Sequence, residues 1–122
     1  MVTAATIYMA LVGYHGLRSI ATRSHQNTTR LIDGLTAIDG VERLFDGPYF
    51  HEVALRLDRP VAPVLAALAA RNILGGYDLS ASNPDLENAL LVCATETKTD
   101  VDIGAYVSAL GEIMASTERK SA

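Results

Sequence analysis

Arg71-Asn72-Ile73-Leu74-Gly75-Gly76-Tyr77-Asp78-Leu79, followed by Ala89-Leu90-Leu91-Val92-Cys93-Ala94-Thr95-Glu96-Thr97-Lys98-Thr99, decides the reading of this chain. In order it spells a helix end, a glycine turn, a buried strand and a capped helix. Paired glycines supply backbone freedom where a chain must turn tightly. The uninterrupted apolar run from Ala89 to Thr95 has strand length and reads as a central strand. Thr99 with Asp102 three residues later has capping-box spacing, with Asp in place of the preferred Glu or Gln.

Outward from this segment the periodicity changes. Ile103, Tyr106, Val107, Leu110, Ile113 and Met114 form the apolar stripe of a last helix, and the tail from Ser116 is polar. Upstream, Val61, Val64, Leu65 and Leu68 mark a helix opened by Asp58-Arg59-Pro60, proline being favoured in a first turn. Phe50 to Leu57 alternates, with Val53, Leu55 and Leu57 on one face, and Val41 to Phe45 is a short strand before the Asp46-Gly47-Pro48 turn. Leu17, Ile20, Ser24, Thr28, Leu31, Leu35 and Ile38 step by three and four along a helix from Gly16 to Ile38, stopped by Asp39-Gly40. A further helix from Thr3 to Val12 ends at Gly13. The order is helix, helix, strand, strand, helix, strand, strand, helix. It predicts an α+β domain: a small antiparallel or mixed sheet with helices packed on one face. Val53, Leu55, Leu68, Leu91, Cys93, Tyr106 and Leu110 are the expected core.

The composition suits one soluble globular domain: 122 residues, 49% hydrophobic and 20% charged, with a net charge of −4. The basic residues are scattered, which argues against nucleic acid as a partner. A single cysteine, Cys93, excludes an internal disulfide. The apolar stretch from Val2 to Val12 has no basic residue before it, unlike a signal peptide. It is also shorter than the roughly 20 residues of a membrane span. A buried helix is the expectation. The chain opens straight into it, as the product of a truncated gene would.

Little in the residues announces catalysis. His15, His25 and His51 have no ligand spacing among themselves or with Cys93, so no metal site is expected. Asp100 and Asp102 suit a helix first turn, where carboxylates oppose the macrodipole. Asp85 and Glu87 read as solvated loop charges. Lys98 reads as an exposed loop charge rather than a desolvated Schiff-base lysine. No catalytic, cofactor-binding or metal residue is therefore assigned. Gly75, Gly76 and Tyr77 are the candidate contact turn, because two adjacent glycines let another backbone or a ligand come close.

Five segments in order resemble one family. They are Thr3-Ala4-Ala5-Thr6-Ile7-Tyr8-Met9-Ala10-Leu11-Val12-Gly13, His15-Gly16-Leu17-Arg18 with Ser24-His25-Gln26-Asn27, Leu44-Phe45-Asp46-Gly47-Pro48-Tyr49-Phe50-His51-Glu52, Ile73-Leu74-Gly75-Gly76-Tyr77, and Leu90-Leu91-Val92-Cys93-Ala94-Thr95-Glu96. Together they resemble the C-terminal domain of glycine dehydrogenase (decarboxylating) subunit 1, the N-terminal half of the glycine cleavage P-protein. The resemblance implies the small domain of a fold-type-I pyridoxal-phosphate enzyme. It implies an enzyme that decarboxylates glycine and passes the aminomethyl group to the lipoyl group of the H-protein. It further implies a cytoplasmic setting, glycine dehydrogenase subunit 2 as partner, and pyridoxal phosphate held by a lysine of that partner. On this reading residues 1–15 are a connecting apolar helix, 16–115 the small domain and 116–122 a flexible tail, and the isolated domain is inactive. The alternative is a stand-alone α+β binding or regulatory module forming a homo-oligomer.

Overall fold

The computed structural model describes residues 1–121, with side chains through Ser116. The elements run α1 (Val2–Thr36), β1 (Val41–Arg43), β2 (Glu52–Leu57), α2 (Val61–Ala69), β3 (Tyr77–Asp78), β4 (Ala89–Cys93) and α3 (Asp100–Ser121), with a 3₁₀ turn at Leu79–Ala81 after β3. The strands form one sheet in the order β1-β2-β4-β3, and every pairing is antiparallel. The α+β expectation holds.

Register fixes which face is covered. Val53 lies opposite Val92 and Leu55 opposite Leu90. All four are buried, in one cluster with Leu31, Ile32 and Leu35 of α1, Leu68 of α2, and Tyr106 and Leu110 of α3. The helices therefore cover this face. On the other face Glu52, Arg56 and Cys93 are exposed, and Ala54 and Leu91 are half-buried.

This corrects the expected core. Cys93 lies on the outer face and Leu91 is only half-covered, while Leu90 and Val92 fill the interior. An unbroken apolar run carries no alternation, and a shift of one residue exchanges the two faces. Cross-strand pairing with Val53 and Leu55 settles the choice.

A second correction concerns the N-terminus. The structure joins the two expected helices into α1, with a break at Gly13 (φ 71°, ψ 179°). Beyond the break the helix is not buried: Val2 and Leu11 are each 82% exposed, Ile7 55% and Met9 50%. The buried residues of α1 begin at Ser24, so the sheet is too small to reach the first part of the helix.

The α3 start follows the capping-box reading. The Asp102 carboxylate accepts from the Thr99 amide at 2.9 Å and the Thr99 hydroxyl at 2.8 Å. The Asp102 amide donates to Thr99 Oγ1 at 3.2 Å. These bonds from Thr99, backbone before side chain, hold the Asp102 carboxyl below the usual carboxylate range. The α3 backbone continues to Ser121. Ala122 and the side chains after Ser116, where a flexible tail was expected, lie outside the described residues.

Candidate functional site at the glycine turn

The turn is set up by the end of α2. Asn72 N–H donates to Ala69 O at 2.9 Å and Ile73 N–H to Leu68 O at 3.0 Å. This is the Schellman pattern, with Asn72 in the left-handed region at φ 61°. Asparagine tolerates that conformation better than most residues.

Gly75 is buried, and a side chain there would strike Leu68. Its carbonyl accepts from the Tyr106 hydroxyl at 2.5 Å. Burial, with Cys93 nearby, pushes the Tyr106 hydroxyl above its ordinary range. It therefore remains a donor at neutral pH. Gly76 has φ 141°, and a Cβ there would fall on the Leu91 carbonyl oxygen. Tyr77 then pairs with Leu91, and its hydroxyl lies 2.6 Å from Ser82 Oγ.

Gly75, Gly76 and Tyr77 thus come together along one wall of a cavity of about 740 Å³. Leu91 to Ala94 line it as well, with the apolar groups of Leu31, Ile103 and Tyr106. Arg71, Lys98, Glu52 and Asp102 also line it. Arg71 is engaged by Glu112 at 2.6 Å, and Asp102 by Thr99. Lys98 is exposed.

The loop carrying Lys98 is fastened from α1. Asn27 Nδ2 donates to the carbonyls of Thr95 and Lys98, each at 2.9 Å. Thr28 Oγ1 donates to Ala94 O at 3.0 Å, and Ser24 Oγ accepts from the Glu96 amide at 3.1 Å. Ser24, Asn27 and Thr28 are buried polar residues, and bonds of this kind are what makes such burial affordable. The helical stripe contained Ser24 and Thr28 but omitted Asn27. Three polar residues on a buried face were the signal that a polar loop would meet them.

The histidines lie elsewhere. His15 and His25 are exposed, and His25 Nδ1 lies 3.1 Å from the Phe50 carbonyl. His51 is half-buried. Among the described residues no three His, Cys, Asp or Glu side chains gather as a metal cluster. No helix among them is long and apolar enough to cross a membrane.

No family model matches the chain. A probable glycine dehydrogenase (decarboxylating) subunit 1 from Methylococcus capsulatus is 54% identical over 114 residues, covering 93% of this chain and 25% of the relative. A relative from Nitrosospira multiformis carries the same description and is 54% identical over 117 residues, covering 96% of this chain and 26% of the relative. The chain spans about a quarter of the length of these curated relatives.

The solved structures agree with that relationship. An inhibitor-bound glycine decarboxylase (P-protein) of the glycine cleavage system superposes with a TM-score of 0.77 at 31% identity, over 88% of this chain and 24% of that one. A C-DES variant with glycine covalently linked to its PLP cofactor gives a TM-score of 0.65 at 15% identity, over 78% of this chain and 24% of that one. The second match shows the fold alone: the small α+β domain is shared with pyridoxal-phosphate enzymes of fold type I.

The described residues do not fit the cofactor itself. A Schiff-base lysine needs a desolvated pocket, and Lys98 is exposed. A phosphate in the cavity would also face the carboxylates of Glu52 and Asp102.

Proposed function

We propose that this chain supplies the small domain of a glycine dehydrogenase (decarboxylating) subunit 1 and has a structural part in the reaction. Its role on this reading is to present the sheet, the glycine turn and the fastened Thr95–Lys98 loop to the rest of the enzyme. The observation that carries it is the agreement of sequence and structure with one family: 54% identity to a subunit 1 and a TM-score of 0.77 to a P-protein. The whole enzyme decarboxylates glycine and passes the aminomethyl group to the lipoyl group of the H-protein. Its cofactor, pyridoxal phosphate, is bound through a lysine of subunit 2. The setting is cytoplasmic. Residues 1–15 form the connecting helix and 16–115 the small domain.

The exposed helix before Gly13 supports this division. Its residues from Val2 to Val12 carry no charge, and a helix apolar on all sides wants cover on more than one of them. The remainder of subunit 1 gives that cover in the intact enzyme, and a second copy gives it when the chain stands alone.

The test uses the cofactor. The chain alone, mixed with pyridoxal phosphate, dialysed free of loosely held aldehyde and only then treated with borohydride, should retain no more phosphopyridoxyl label than its Lys98→Ala variant, because an imine at an exposed lysine hydrolyses during dialysis. A stoichiometric label that Lys98→Ala removes would overturn the assignment of the cofactor to the partner subunit.

A further inference from the structure

All fourteen acidic residues of the chain lie at or after Asp33, whereas Arg18, Arg23 and Arg30 precede it. The start of an otherwise acidic protein is therefore positively charged. Arg30 is paired with Asp100 at 2.7 Å. Arg18 and Arg23 are exposed and enter no ion pair or side-chain hydrogen bond among the described residues. Helical rotation fixes how they are placed. Ser24, Asn27, Thr28, Leu31, Ile32 and Leu35 define the core face of α1. His15, Ser19, Thr22 and Gln26 run along the opposite face, with Arg18 and Arg23 about 70° to either side at 3.6 residues per turn. These six residues line a shallow trough of about 370 Å³, and none of them is acidic. Thr28, Thr29 and Thr36 of the same helix donate their hydroxyls to carbonyls four residues back. The hydroxyls of Ser19 and Thr22 have no partner among the described residues.

The trough begins where the helix before Gly13 ends. Tyr14 is exposed and stands one turn before Arg18, so open apolar surface borders the basic face. We infer that one surface covers both: the rest of subunit 1 lies over the helix before Gly13 and continues along α1, bringing Asp or Glu carboxylates to Arg18 and Arg23. This rests on the small-domain assignment. This chain matches 25% of the Methylococcus capsulatus relative, so the rest of such a subunit is long enough to reach from one region to the other. Covering an unpaired guanidinium costs its hydration, and the covering surface has to return anions. Carboxylates do so with two parallel bonds to each arginine. The free hydroxyls of Ser19 and Thr22 offer their remaining lone pairs further donors. A basic or purely apolar cover would leave both charges stranded.

The test compares two double variants, Arg18→Glu with Arg23→Glu and Arg18→Lys with Arg23→Lys. Each is made in the dilute chain alone and in a Methylococcus capsulatus subunit 1 whose matching quarter is this chain, and thermal midpoints are measured. In the chain alone both should shift the midpoint by no more than about 3 °C, as exposed positions do. In the chimera the Glu pair should lower it by about 5 °C or more, or prevent folding, because carboxylates then meet carboxylates. The Lys pair keeps the charge and should recover most of that loss. A Glu chimera that melts with its parent would overturn the proposal. So would an equal loss in the chain alone, which would assign the effect to this domain's own fold. A Glu chimera of unchanged midpoint that no longer pairs with subunit 2 would also overturn it, by placing the carboxylates on that subunit. An unmodified chimera that does not fold would overturn the small-domain assignment and this inference with it.

Discussion

The Tyr106 hydroxyl donates to the Gly75 carbonyl across 2.5 Å, joining α3 to the turn that follows α2. The two residues are 31 apart in sequence, and the bond between them ties the turn to α3 while Gly76 lies against the Leu91 carbonyl of β4. Tyr106 and Gly75 both line the cavity beside Cys93.

Tyr106→Phe keeps the ring and leaves the Gly75 carbonyl without its donor. Loss of a buried hydrogen bond should cost about 1–2 kcal/mol, read as a lower midpoint in urea denaturation. The pH dependence has a definite sign. Burial raises the folded-state pKa of Tyr106 above its unfolded value of about 10. Its contribution is full below that value and is lost as pH rises beyond it. Wild type should therefore lose stability more steeply than Tyr106→Phe in alkaline urea titrations. Parallel alkaline limbs would show that the phenol is not protected.

Gly76 and Gly104 should respond oppositely to alanine. Gly76 sits at φ 141° with the Leu91 carbonyl in the way of a Cβ. Gly76→Ala should destabilise the chain by more than about 1 kcal/mol and raise amide exchange at Tyr77. Gly104 lies exposed in α3 with no atom within 4 Å of a built Cβ. Gly104→Ala should stabilise by roughly 0.5–1 kcal/mol, the usual helix gain. Thermal melts of the two variants check both signs.

Asn27→Ala should free the loop before α3. Its amide holds the carbonyls of Thr95 and Lys98, which lie near the buried base of α1. About 2 kcal/mol should be lost, with faster hydrogen exchange at residues 95–98. Gln26→Ala, at an exposed neighbouring position, should change neither. Equal effects from the two variants would remove the network from the account.

These residues also show what the sequence could reveal. The helices of α2 and α3 were legible because their apolar residues recur at three and four, and the Thr99–Asp102 cap was legible from spacing alone. Alternation exposed β2. It could not orient β4, where Ala89-Leu90-Leu91-Val92-Cys93 has no polar position to mark a face, so Leu91 and Cys93 were placed inside. The glycine turn was visible as Gly75-Gly76, but the cavity was not: it depends on Tyr106, Leu31 and Lys98, brought together from three distant segments. The helix before Gly13 was read as buried because it is apolar. Composition reports a need for cover and not whether this domain supplies it.

The exposed helix gives a further expectation. The intact chain should sediment as a dimer or larger species at high concentration, because Val2, Ile7, Met9 and Leu11 lie open to solvent and apolar burial is worth roughly 25 cal/mol per Å² before association costs. The double variant Ile7→Glu, Leu11→Glu should be monomeric with an unchanged melting temperature, since neither side chain belongs to the core. A monomeric wild type would contradict self-association, and an unfolded variant would place the helix in the core.

The central claim is tested most directly by exchange. This chain replaces the matching quarter of the Methylococcus capsulatus subunit 1, the chimera is co-purified with subunit 2, and exchange of the glycine carboxyl with bicarbonate is measured with lipoylated H-protein. The account predicts an assembled chimera with activity within about ten-fold of the natural pair, a loss of no more than roughly 1.4 kcal/mol. A chimera that folds with a cooperative melt yet fails to pair with subunit 2, or pairs and exchanges nothing, would contradict it.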